Sequence, residues 1–141
     1  MSKSSAARRG HATRWLYQQE ARALRFNNFA YEDRPMAYLK RLARKIWAKE
    51  APKGRRFPEI RAGRGCPSRT TLTSYCLGFT EIELARHHRN ILVLIHELTH
   101  ALGPCIHGPR FVSLYFRLLH KYAGYNRWFL QFVAAERNIT I

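Results

Sequence analysis

The chain has 141 residues, 46% of them hydrophobic, and sets 25 Lys+Arg against 9 Asp+Glu, a formal net charge of +16. That size and apolar content suit one domain with its own core. No apolar run approaches the ~18 residues that span a membrane, Met1–Arg14 lacks the apolar stretch of a secretory signal, and Cys66, Cys76 and Cys105 form no CxxC or disulfide framework. A cytoplasmic, non-secreted monomer is expected.

In chain order, residues 1–12 read as disordered and residues 13–30 as a helix with mixed basic and aromatic faces. Tyr31–Pro35 breaks it. Pro35 then opens a helix over 35–50, in which Met36, Leu39, Leu42, Ile46 and Trp47 form an apolar stripe opposite Lys40, Arg41, Arg44, Lys45 and Lys49. Pro52 to Pro67 is loop-like, with a short strand near Phe57–Arg61. Arg69–Thr73 and Ser74–Ala85 read as a strand pair with a turn or bulge at Gly78. The 75–85 region is the expected exposed edge, able to pair with an extended substrate.

Asn90 is the expected N-cap of a helix over 91–102, stopped by Gly103-Pro104. Pro109 opens the next helix, which runs to Tyr122-Ala123 and ends at Gly124. A last helix is expected over Asn126–Glu136. Its aromatics, with Tyr122, Tyr125, Trp128, Phe129 and Phe132 taken together, are expected to finish the core. His11, His87, His88 and His120 have no ligand spacing among themselves and read as surface or packing residues. The basic segment 1–34 (tail plus helix) is set apart from a main domain over 35–141.

The helix over 91–102 carries His96-Glu97-Leu98-Thr99-His100. Residues four apart share one helix face. Two imidazoles so placed can grip one Zn2+ ion, and the adjacent Glu97 can reach a water on it as general base. His107 is the expected third ligand, brought back by a left-handed turn at Gly103. Three His ligands leave one position open, as in a catalytic rather than a structural zinc site. Glu136 is the leading substitute ligand and Cys105 a weaker one. Tyr115, Arg110 and His120 are candidates for stabilising an oxyanion. A metzincin pattern would need its third His at Ile106 and a methionine downstream, whereas Met1 and Met36 both precede the motif.

The charge points to a polyanionic partner, most simply nucleic acid bound without sequence specificity. Basic residues cluster over Arg8–Arg25, Lys40–Arg56 and Arg61–Arg69, and the basic face of the 35–50 helix is the best single patch.

Strand-rich Thr70–Ala85, the run Asn90 to Leu102 and the segment His107-Gly108-Pro109-Arg110-Phe111 together resemble the SprT-like zinc metallopeptidases and related minimal zincins. The similarity covers about residues 35–123. It implies a small α+β zincin-like domain: N-terminal helices, a short three-stranded antiparallel sheet, an active-site helix and C-terminal helices. It also implies zinc on His96, His100 and His107, with Glu97 as the base for hydrolysing a protein or peptide substrate. Members with DNA-binding elements digest proteins crosslinked to DNA, and a small Arg-rich chain is similar to phage-encoded members. A four-Cys zinc ribbon, frequent in that family, is absent from this sequence. The alternative reading is a non-enzymatic basic nucleic-acid-binding or virion-associated protein with a structural or relic zinc site. A zinc nuclease is a third.

Overall fold

The computed structural model describes residues 5–63, 69–74, 78–103 and 106–141. Helix α1 spans Ser5–Arg22 and a 3-10 turn Leu24–Phe26; α2 (Asn28–Tyr31) and α3 (Met36–Glu50) follow. Strands β1 (Glu59–Ala62), β2 (Arg69–Ser74) and β3 (Gly78–Leu84) lead into α4 (Ile91–Leu102), α5 (Pro109–Ala123) and α6 (Arg127–Ala135). The architecture is α+β, as expected. Among the described residues no helix is long and apolar enough to cross a membrane. The cysteines, and with them Cys105 as a substitute ligand, lie outside the described residues.

Helix α4 is the axis of the fold. Ile91, Leu92, Leu94, Ile95, Leu98 and Ala101 are buried, and so are His96, Glu97 and Thr99. A helix covered all round sits inside the core, and α4 touches α2, α3, α5, β2 and β3. Both of its ends are satisfied by side chains. Asn90 Oδ1 accepts from the Val93 N–H at 2.9 Å, the N-cap expected from sequence. Arg55 Nη1 donates to the carbonyls of Leu102 at 2.8 Å and Ala101 at 3.4 Å, which the last turn leaves without intrahelical partners.

The sheet has the order β1-β3-β2. β2 pairs antiparallel with β3, but β1 pairs parallel with it, Ile60 opposite Ile82 and Arg61 opposite Glu83. The expected all-antiparallel sheet does not form. The chain passes from β1 to the far edge and returns between the two strands, so β3 enters running the same way as β1. Alternating polarity marks the strands but carries no pairing direction. The order also moves the edge. β3 is central, so the 75–85 region is not the free edge; β1 and β2 are. Residues 75–77 themselves lie outside the described residues. Arg61 ion-pairs with both Glu81 and Glu83 across the β1–β3 pair.

The N-terminal expectations also change. Residues 5–12 belong to α1, where the run Ala6-Ala7-Arg8-Arg9 supplies strong helix formers. The helix expected over 13–30 stops at Arg22. Asn27 explains the break: its side chain accepts from the Ala30 N–H at 3.2 Å to cap α2 and donates to the Ala123 carbonyl at 3.2 Å. The Tyr125 hydroxyl donates to the Leu24 carbonyl at 2.5 Å in the same corner. Trp15, Leu16, Leu24 and Ala30 are buried in one core with α3, α4 and α5, so the 1–34 segment shares the core of residues 35–141.

Helix α3 matches its expected span and stripe: Leu39, Ala43, Ile46 and Trp47 are buried while Lys40, Arg41, Arg44, Lys45 and Lys49 face solvent. Pro109 stands in the first turn of α5, and Gly124 ends that helix at φ 73°, the left-handed region glycine favours. Gly103 does not take that conformation: its φ is 166°, extended backbone. The aromatic expectation holds only for Tyr125, which is buried, and Tyr122, which is half-buried; Trp128, Phe129 and Phe132 face solvent.

Replacing Asn90 by Ala removes the α4 cap and is expected to lower stability by about 1 kcal/mol in urea unfolding, whereas Asn90→Ser should keep most of it. An unchanged midpoint in the Ala variant would show that the cap contributes nothing to holding α4.

Candidate metal centre

His96 and His100 lie one turn apart on α4, and His107 comes from the short link before α5. Their ligand nitrogens all fall within 4.8 Å of one another. His107 Nε2 is 3.1 Å from His96 Nε2 and 3.0 Å from His100 Nε2. Three imidazole nitrogens converging on one point are the donor set of a first-row divalent ion. The link reaches the site through extended Gly103 rather than through a left-handed turn.

The ring faces are fixed by aromatic neighbours. Phe111 packs against all three imidazoles, with centroids at 5.1, 4.4 and 4.9 Å from His96, His100 and His107. Phe111 and Tyr115, four apart on α5, stack at 5.6 Å. Tyr17 stacks on His96 at 6.0 Å and meets His107 edge-on at 5.5 Å.

The outward nitrogens are held from α1. His96 Nδ1 donates to Glu20 Oε2 at 2.9 Å, and Thr13 Oγ1 lies 3.1 Å from His107 Nδ1. A proton on Nδ1 leaves the Nε2 lone pair for the centre, so the Glu20 carboxylate, which can only accept, favours the ligating tautomer of His96. Tyr115 donates to the same Glu20 oxygen at 2.8 Å. Thr13, Tyr17 and Glu20 stand at i, i+4 and i+7, one face of α1. None of the three was singled out from sequence. A signal was present: Glu20 is the sole acid before Glu32 in a strongly basic stretch.

Electrostatics divide the imidazoles. Burial alone would lower the His96 pKa, but the Glu20 carboxylate, by charge and hydrogen bond, and the Glu97 charge outweigh it and raise it. Burial and the charge of His96 push His107 down to about 4. His107 therefore keeps a free lone pair at neutral pH. Burial, Glu20 and Glu97 raise the Tyr17 hydroxyl, and burial with Glu20 holds Tyr115 protonated.

A cleft of about 220 Å³ opens beside His96, lined by Tyr17, Tyr31, His88, Val93, His96 and Glu97 among others. Glu97 is 6% exposed and reaches this cleft from the helix that carries two of the imidazoles. The other sequence candidates are not members of the imidazole cluster. Glu136 accepts from Trp15 Nε1 at 3.2 Å and is not part of the cluster. The Tyr115 hydroxyl is buried and committed to Glu20. Arg110 is solvent-exposed at the start of α5, and His120 Nδ1 donates to the Tyr125 carbonyl at 2.8 Å near the far end of that helix.

Purified protein is expected to hold one divalent ion, which His107→Ala loses and Glu136→Ala retains, as read by metal analysis. Glu20→Gln should weaken metal affinity by roughly 10–100-fold in chelator competition without unfolding the chain by circular dichroism. Equal affinity in that variant would remove Glu20 from the centre. Compared with known proteins, the chain matches no family model, no curated protein and no solved structure, so its function has to be argued from these residues.

Proposed function

We propose that this protein is a zinc-dependent metalloendopeptidase that works on or beside nucleic acid. One observation carries the reading: three imidazoles share a centre, and one of them, His96, lines a cleft together with Glu97. The resemblance of about residues 35–123 to SprT-like peptidases, read from the sequence motifs, favours it. Zinc held by His96, His100 and His107 would polarise a peptide carbonyl and lower the pKa of a water toward neutrality. Glu97 takes the proton of the attacking water and returns it to the leaving amine nitrogen. Tyr17 lines the same cleft and keeps its hydroxyl proton, so it is the residue best suited to donate to the developing oxyanion. The edge available to an extended substrate is β2, which lies against α4, in place of the 75–85 region.

The nucleic-acid part rests on charge. A net +16 on 141 residues, with five exposed cations along α3, gives an electrostatic attraction for polyanions that needs no base readout.

Glu97→Gln is expected to retain zinc while hydrolysis of a casein-like substrate falls by roughly 10²–10⁴-fold. A variant with undiminished turnover would end the general-base assignment. Incubation of the same zinc-loaded protein with RNA and DNA tests the nuclease reading: cleavage of either, with casein intact, would replace peptidase by nuclease. Bound zinc with no turnover of any of them would leave a structural site.

A further inference from the structure

We propose that the exposed aromatic face of α6, together with Phe26, is a base-stacking platform for single-stranded nucleic acid. The inference deepens the nucleic-acid part of the proposed function and requires nothing of the metal centre.

Helix α6 is amphipathic in an unusual sense. Leu130, Val133 and Ala134 are buried, but Trp128 and Phe132 are 80% and 78% exposed and Phe129 is 39% exposed. Positions 128, 129 and 132 occupy one arc of the helix. Phe26, 82% exposed at the 3-10 turn, lines one groove with Phe129. Rings of that size turned to water forgo the transfer free energy that burial would give, and a cluster of them marks a binding surface.

The chemistry of the surface selects the occupant. Among the described residues, the large exposed apolar side chains are aromatic with the single exception of Ile106. Aromatic rings also serve protein interfaces, but a chain of net charge +16 favours a polyanionic occupant. Aromatic faces stack on unpaired bases of any sequence. Arg25 and Arg127, next to Phe26 and Trp128 along the chain, are exposed and suit the phosphates between bases. The one acid in residues 127–141, Glu136 at the C-cap of α6, accepts a hydrogen bond from the Trp15 indole. A flat duplex hides its base faces, so the platform fits a single strand.

Trp128 provides its own probe, because Trp15 and Trp47 are each only 7% exposed. Titration with an oligothymidylate of roughly 15 nucleotides should quench tryptophan fluorescence, and Trp128→Ala should abolish the quenching. In anisotropy with the labelled oligonucleotide, Trp128→Ala and Phe132→Ala are each expected to weaken binding roughly tenfold, with unfolding midpoints and casein hydrolysis unchanged. A duplex of equal length should bind without the quench. Binding that persists undiminished in both ring variants would overturn the platform while leaving nucleic acid as partner. Absence of any oligonucleotide binding at low salt would overturn both. If the ring variants instead lose only binding to phosphatidylserine vesicles, or only self-association in ultracentrifugation, the surface belongs to a membrane or to a second copy and the proposal fails.

Discussion

Three imidazoles brought together inside a protein are held apart by their own lone pairs and protons, and the rest of this structure is arranged to overcome that. His107 Nε2 stands at hydrogen-bond distance from both other ligands. Only one proton or one cation can sit between such atoms at a time. Two carboxylates, Glu20 and Glu97, lie close enough to act on His96, and both are largely withdrawn from solvent. Buried acids require compensating positive charge. A divalent ion at the imidazole centre would answer both demands, matching two negative charges and replacing the shared proton.

That arrangement explains why the N-terminal helix is more than a basic appendage. Thr13 and Glu20 set the outer nitrogens of His107 and His96, and Tyr17 covers the ring of His96. Trp15 and Leu16, on the same helix, anchor it in the core. The face that meets the imidazoles and the face that packs are neighbours on one helix, so the histidine cluster and the fold depend on the same docking.

Scarcity of acids shapes the surface as well. Glu81 and Glu83 are taken by Arg61, Glu50 by Lys121 and Tyr122, and Glu136 by Trp15. Arg44 rests on Phe57 and Arg25 on Tyr31, while Arg34 lies between Phe29 and Tyr38 and also pairs with Glu32 at 3.2 Å. Cation–π contact holds a guanidinium while leaving its N–H groups able to meet phosphate. A net charge of +16 makes such a surface attractive to a polyanion, and the proposed platform on α6 would add ring contacts to that attraction.

The sequence alone determined what neighbours along the chain dictate. The i, i+4 spacing put His96 and His100 on one face. Asn90 capped α4, Gly124 closed α5, and the stripe from Met36 to Trp47 made α3. Each follows from helix geometry or from backbone freedom within a turn. Tertiary structure decided the rest. Glu20 reaches His96 across 76 positions and Thr13 reaches His107 across 94, distances over which no local pattern speaks. Strand alternation showed that strands exist, but only packing made β3 central and parallel to β1. The aromatics of α6 have the spacing of a core helix; which of its faces receives a neighbour depends on what the remainder of the chain has left to cover it, and here nothing among the described residues covers Trp128 and Phe132.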